Sequence, residues 1–185
     1  VQEAFQEFMR PPFFPVRPHE LFGSVHFADL IETEVEWGRA RITARDVPHV
    51  GATNGYRVEL DGVSIAYVSD HQEPVDGESI APGVLELCAG ADLVIHDAQF
   101  EPHEFAVKSD WGHCTVGYAV RVAAAAGARR LALFHHDPAH GDDTVDRLLA
   151  EARELAAGTS IVEVIAAYEG LTVSLSPAEL AASTD

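Results

Sequence analysis

Several histidine and aspartate residues stand directly after apolar, strand-like runs of the sequence. His49 and Asp70 each follow one run, the pair His96 and Asp97 follows a third, and residues 135–137 (His-His-Asp) follow a fourth. Ligand sites of α/β proteins lie beyond strand ends, so we expect these side chains to converge in one cleft. Imidazole and carboxylate together suit Zn²⁺, Mn²⁺ or Fe²⁺, and a carboxylate can bridge two ions. Each residue alone fits an ordinary hydrogen-bonded position, so only the joint pattern supports a metal site.

The elements that would position these residues change character along the chain. Residues 10–18, rich in Pro and Phe, predict an irregular connection. The pair Asp61-Gly62 between two apolar runs is a strong hairpin signal. The β-type runs of this first half begin at Val25 and include residues 39–47, 55–60 and 63–69.

From Pro82 onward the pattern alternates between helix and buried strand. Helical periodicity predicts helices at residues 83–90, 115–127 and 142–155. Gly127 is the expected end of the second helix, and the third carries an apolar stripe that includes Leu155. Strands are predicted at residues 91–97, 129–137, 161–167 and near Leu171. Antiparallel hairpins followed by αβ units predict a layered α/β fold.

The composition is that of one soluble domain. The chain has 185 residues, of which 47% are hydrophobic, and no apolar run approaches the ~20 residues needed to cross a bilayer, so no membrane partner is expected. The net charge of −18 repels phosphate backbones and makes long nucleic acid a poor partner. The two cysteines, Cys88 and Cys114, give no disulfide pattern, which favours a cytoplasmic location.

Five ordered motifs carry a resemblance to a known family. They are VPHVGATNGYRVE (residues 47–59), AYVSD (66–70), ADLVIHDAQF (91–100), WGHCT (111–115) and ARRLALFHHDP (128–138). They resemble the later motifs of metallo-β-lactamase-fold phosphodiesterases, in the branch that contains the tRNA-processing ribonuclease Z and its small-molecule relatives. The resemblance covers residues 11–175 and implies a partial αββα sandwich. Residues 1–185 are then the carboxy-terminal part of a single domain.

The resemblance implies a role for each matching residue. His49 and His135 would each bind one of two divalent metal ions, with Zn²⁺ favoured over Mn²⁺ or Fe²⁺, and Asp70 would bridge them. His113 would contact the scissile phosphate and protonate the leaving group, while Asp97 would orient a ligand or His113. A bridging water activated by the ions would attack a small phosphodiester such as a cyclic nucleotide.

Several positions depart from the family or invite another interpretation. His71 stands where the family has Thr, and we expect it to face solvent. His136 points away from His135, because adjacent strand residues face opposite sides. Cys114 is expected to enter a helix as a small hydrophobic residue rather than act as a nucleophile. His103 and His140 lie among charged residues and are expected to be solvated.

The largest departure is the absence of the family's His-x-His-x-Asp-His motif, since His19 and His26 stand alone. The chain is therefore expected to be inactive without a missing amino-terminal segment or companion chain, and to pair with a second copy where its apolar face is uncovered. The compact interval at residues 58–69 leaves no room for the long arm of ribonuclease Z, so precursor tRNA is not the expected substrate. Two alternatives remain: a thioester or other ester hydrolase of the same fold, and a catalytically silent binding or assembly module.

Overall fold

The computed structural model describes residues 2–23 and 25–177. The chain divides into two compact units, Val1–Leu30 and Ile31–Asp185. In the first unit, helix α1 (Gln2–Phe8) is followed by turns and then by a single turn of 3₁₀ helix (Pro18–Glu20). The irregular connection is thus confirmed. The β-type run predicted from Val25 is wrong, because residues 25–30 find no pairing strand among the described residues.

The second unit is built on a seven-stranded sheet in which spatial order follows chain order. The strands are β1 (Thr33–Trp37), β2 (Ala40–Asp46), β3 (Asn54–Leu60), β4 (Val63–Val68), β5 (Leu93–Asp97), β6 (Arg130–Phe134) and β7 (Glu163–Ala166). Strands β1 to β4 pair antiparallel, and β4 to β7 pair parallel. The predicted order, hairpins first and αβ units second, is confirmed. The strand predicted near Leu171 is wrong, since residues 171–176 continue without strand pairing.

The hairpin between β3 and β4 has the turn that its sequence predicts. Leu60 pairs with Val63, which leaves only Asp61 and Gly62 in the loop. Both have positive φ, 53° and 82°, as the favoured two-residue hairpin turn requires. A compact hairpin therefore leads from β3 to Asp70.

The described part of this unit, up to residue 177, has four helices longer than one turn: α2 (Pro82–Cys88), α3 (Pro102–Lys108), α4 (Val116–Ala125) and α5 (Asp142–Ala156). The Thr115 hydroxyl caps α4 by accepting a hydrogen bond from the Tyr118 amide, and Gly127 follows the helix with φ of 68°. Helix α3 is not among the predicted helices. Leu155 was expected in the apolar stripe of α5, yet 49% of Leu155 is exposed.

Buried residues of α2, α4 and α5 form one core with alternate residues of the central strands. Ala66 and Val68 of β4, Val94 of β5 and Leu131 and Leu133 of β6 point into this core. A rigid base therefore supports the carboxyl ends of β4, β5 and β6. No helix in residues 2–23 and 25–177 has both the length and the apolar character to cross a membrane.

Candidate functional site

Three parallel strands bring polar residues to one edge of the sheet. Since β4, β5 and β6 run in the same direction, the residues that end or follow them meet at that edge. Asp70 follows β4, Asp97 ends β5 and His135 follows β6. His113 comes from the loop between α3 and α4 and joins them.

Asp70, His113 and His135 form a compact group of possible metal ligands. Each offers one ligand atom, and the three atoms lie within 4.8 Å of one another. Asp70 Oδ1 is 3.4 Å from His135 Nε2, and the rings of His113 and His135 stack with centroids 4.6 Å apart. Two imidazoles and a carboxylate suit Zn²⁺, Mn²⁺ or Fe²⁺, so this donor set fits a divalent ion.

His49 lies beside this group, held by a backbone carbonyl. Its ring centroid is 5.2 Å from that of His113, and its Nδ1 lies 2.7 Å from the carbonyl oxygen of Gly112. A carbonyl can only accept, so Nδ1 carries the hydrogen and Nε2 keeps its lone pair. This is the tautomer that a histidine needs in order to bind a metal through Nε2. The structure thus places four of the five predicted site residues, His49, Asp70, His113 and His135, close together at this edge of the sheet.

His113 is oriented by Asp97. Its Nδ1 donates to Asp97 Oδ2 at 2.6 Å, and the fully buried carboxylate also accepts from the His71 backbone amide at 3.1 Å. Burial lowers the pKa of His113, but the hydrogen bond and charge of Asp97, with a smaller effect of Asp70, outweigh it and raise the pKa. The Nε2 of His113 therefore holds a proton more readily than that of an ordinary histidine.

His71 does not face solvent, so that expectation is wrong. The residue is fully buried, and its Nδ1 lies 3.0 Å from Nε2 of the equally buried His96. Burial, reinforced by His96, lowers the pKa of His71 to about 2. The pair is therefore neutral and shares one hydrogen. His71 lies beneath the site, where its amide bonds to Asp97.

Two of the remaining expectations hold and one fails. Cys114 is buried two residues before the start of α4, as expected of a small hydrophobic residue, and burial raises the pKa of its thiol well above the ordinary value, which disfavours the reactive thiolate. His103 is solvated, with 74% of its side chain exposed. His140 is not, since only 6% of its side chain is exposed and its Nε2 lies 3.0 Å from a Glu104 oxygen. His136 is absent from the ligand group that contains His135.

Gln72, which was not among the predicted site residues, ties two loops of the site together. Its backbone amide donates to Pro48 O at 2.7 Å, its side-chain nitrogen donates to Ser109 O at 2.6 Å, and its side-chain oxygen accepts from the Gly112 amide at 2.7 Å. The loop of His49 and the loop of His113 are thereby fixed to each other. No local pattern could signal this, because Gln72 and Gly112 are 40 positions apart.

Comparison with known proteins decides the family. Residues 2–136 match the family described as the β-lactamase superfamily domain. The chain belongs to the β-lactamase superfamily. Ribonuclease Z of Brevibacillus brevis is 36% identical over 84 residues, covering 43% of this chain and 26% of that enzyme. Ribonuclease Z of Salinispora arenicola is 33% identical over 124 residues, covering 67% of this chain and 38% of that enzyme.

The superfamily fold is also evident in a solved structure. The metallo-β-lactamase-fold protein YhfI from Bacillus subtilis matches 92% of this chain and 60% of its own with a TM-score of 0.64 and 22% identity. The expected metallo-β-lactamase fold is therefore confirmed, as is the relation to ribonuclease Z. The chain spans 26% and 38% of the length of the two ribonuclease Z relatives.

Proposed function

We propose that this superfamily member takes part in the metal-dependent hydrolysis of a phosphodiester. The observation that carries the proposal is the convergence of Asp70, His113 and His135, with ligand atoms within 4.8 Å and His49 beside them. A divalent ion in such a site supplies Lewis-acid chemistry and makes water a nucleophile at neutral pH. Asp70, His49 and His135 would hold the metal.

His113 has the features of a general acid for the departing alkoxide. Asp97 binds its Nδ1 at 2.6 Å, which directs Nε2 away from that carboxylate. The hydrogen bond and charge of Asp97 raise the pKa of His113, which favours the protonated ring that a general acid needs. We therefore propose that His113 donates the proton that the leaving group needs. Asp97 would orient the His113 ring and favour its protonated form.

The ligand count implies that more protein completes the site. A single catalytic zinc commonly takes three protein ligands and a water. Two ions, with Zn²⁺ favoured over Mn²⁺ or Fe²⁺, need more ligands than His49, Asp70 and His135 provide. We propose that the other ligands come from a segment or companion chain that carries further histidine and aspartate residues, and that activity depends on it.

A small phosphodiester is the substrate that these features favour. The turn between β3 and β4 contains only Asp61 and Gly62, and offers no arm for a large substrate. The net charge of −18 opposes binding of a polyanion, since such binding depends on phosphate neutralisation. The second candidate, cleavage of an RNA, is favoured by the relatives named ribonuclease Z.

Leaving-group dependence tests the proposal. The intact protein, loaded with Zn²⁺ or Mn²⁺, is assayed on bis(p-nitrophenyl) phosphate and on cyclic nucleotides. His113→Ala should lose about 100-fold more activity on the cyclic nucleotide, whose alkoxide needs a proton, than on the nitrophenyl ester, which does not. His103→Gln, an exposed histidine, is the matched control. Equal losses on both substrates would assign His113 to metal binding instead.

A parallel assay with precursor tRNA separates the two substrates. If RNA is the substrate, cleavage at the 3′ end should exceed turnover of small diesters, and its apparent affinity should fall steeply with salt. If a small diester is the substrate, cleavage of the tRNA should be slow and unspecific. If the metal-loaded intact protein hydrolyses neither small diesters nor tRNA, the proposed phosphodiester hydrolysis is wrong.

A further inference from the structure

The loop between β6 and α5 carries His135 into the site at its first position. His135 has φ of 58°, in the left-handed region that residues other than glycine rarely adopt. Its Nε2 nevertheless reaches within 3.4 Å of Asp70. Such a backbone persists only where surrounding contacts over-determine it. Contacts from elsewhere in the fold must therefore hold residues 135–140.

Helix α3 contacts this loop twice, through charged hydrogen bonds at either end of the helix. Lys108 Nζ lies 3.1 Å from Asp137 Oδ2, and Glu104 Oε2 lies 3.0 Å from His140 Nε2. Only 9% of the Asp137 side chain and 6% of the His140 side chain are exposed. Such bonds are screened less than surface ion pairs.

Asp137 transmits the contact along the loop. Its other oxygen, Oδ1, accepts the Ala139 amide at 2.9 Å, and its carbonyl accepts the His140 amide at 2.9 Å. The ammonium group of Lys108 also lies over the Phe100 ring, 4.8 Å from the centroid, which restricts where it can move. Lys108 therefore meets a folded turn, two residues beyond His135.

We propose that Lys108 and Glu104 are positioning residues that hold the His135 loop, so that His135 keeps its place opposite Asp70. The inference rests on the proposed metal centre. Neither residue belongs to the ligand group of that centre. Partners that orient metal ligands in this way typically contribute about 10- to 100-fold in metal affinity.

Two other roles for the same residues lead to different expectations. Glu101, Glu104 and His140 also offer ligand atoms within 4.8 Å of one another and could hold an ion themselves. Arg147 already binds Glu101 at 2.7 Å, however, and His140 already binds Glu104, so the cluster is paired as it stands. Lys108 could instead bind a substrate phosphate, which would change turnover and leave metal affinity intact.

The test is Zn²⁺ titration of the intact protein, followed calorimetrically, with amide hydrogen exchange of residues 135–140 as a readout that needs no metal. Lys108→Met should weaken the ion bound through Asp70 by about 10- to 100-fold and speed exchange of the loop. Lys108→Arg should restore both. Arg39→Met, which breaks the exposed ion pair of Arg39 with Asp61 outside the loop and its contacts, is the matched control and should change neither.

The outcomes separate the inference from the proposed function. If the wild-type protein binds Zn²⁺ and Lys108→Met binds it equally well, the positioning role is wrong, whether or not turnover falls. If Zn²⁺ binding is retained in Asp70→Ala but lost in His140→Ala, the positioning role is also wrong, because the ion then binds to the cluster of Glu101, Glu104 and His140. If the wild type binds no ion, the proposed function fails. Unchanged amide hydrogen exchange of residues 135–140 in Lys108→Met would then show that Lys108 does not hold the loop either.

Discussion

His49 Nδ1 lies 2.7 Å from the carbonyl oxygen of Gly112, and a β-carbon added to Gly112 would lie 2.2 Å from that same nitrogen. Gly112 also has φ of 98°, which side chains rarely tolerate. The close approach that selects the tautomer of His49 thus requires glycine at this position. The WGHCT motif carries His113 and, in Gly112, the residue that leaves room for His49.

Gly112→Ala should displace His49 and lower turnover by about 100-fold, because misplacing a site residue by an ångström has effects of that size. Gly51→Ala is the matched control, since a β-carbon at Gly51 meets nothing within 4 Å. Steady-state kinetics and Zn²⁺ titration of the intact protein measure the effect. Wild-type kinetics in Gly112→Ala would show that the position of His49 is unimportant.

Asp70→Ala should reduce turnover by more than about 100-fold, which exceeds the usual loss from an outer partner of a metal ligand. The fold should survive with a change of about 1 kcal/mol or less, because 35% of the Asp70 side chain is exposed and its partners are the adjacent Ser69 hydroxyl and His135. Thermal unfolding and kinetics provide the two readouts. Asp146→Ala, on the exposed side of α5, should leave both unchanged, and an active Asp70→Ala protein would remove Asp70 from the centre.

Local signals predicted most of the elements that position the site. Asp61-Gly62 specifies its turn by backbone preference alone, and apolar runs that end in His or Asp specify β5 and β6. Helix α3 escaped prediction because its seven residues show no apolar stripe and none is buried. Pro102 at its first position, where proline is favoured in helices, was a signal that could have revealed it.

The parts of the site that could not be predicted depend on contacts between distant residues. His71 is buried because His96, 25 positions away, and Tyr118 pack against its ring. A histidine before a polar stretch carries no trace of such partners, so exposure was the natural expectation. The same holds for His140, whose partner Glu104 is 36 positions away.

Stability should fall in mild acid because of His71. Burial lowers its folded-state pKa to about 2 from 6.5, so the unfolded state binds the extra proton between these values. The stabilising contribution is therefore complete above the unfolded pKa and is lost as pH falls below it, by about 2 kcal/mol between about pH 8 and about pH 5. Urea unfolding with a chelator present, at several pH values, measures this slope.

His71→Asn should flatten that dependence of the unfolding free energy on pH, because Asn keeps a polar partner for His96 without titrating. His103→Gln is the control, since it removes a histidine whose side chain is 74% exposed. An unchanged slope in His71→Asn would mean that other groups cause the acid sensitivity.

Asp97→Asn should move the alkaline limb of the pH–rate profile to lower pH. The proposed acid, His113, works only while protonated, so the rate falls as pH rises through its pKa. Burial lowers that pKa, and Asp97 raises it through the hydrogen bond at 2.6 Å and its charge. Removing the charge leaves burial less opposed, and the pKa must fall.

The matched control is Asp92→Asn. The carboxylate of Asp92 accepts hydrogen bonds from Ser64, which is not a site residue. This substitution should leave the pH–rate profile of the intact, metal-loaded protein in place. The side-chain oxygen that the Asp97→Asn change retains can still accept the His71 amide, so thermal unfolding should confirm that this variant remains folded. An alkaline limb that stays in place in a folded Asp97→Asn protein would show that His113 is not the proton donor. A shifted limb would tie the donor to His113, whose ring donates to the Asp97 carboxylate.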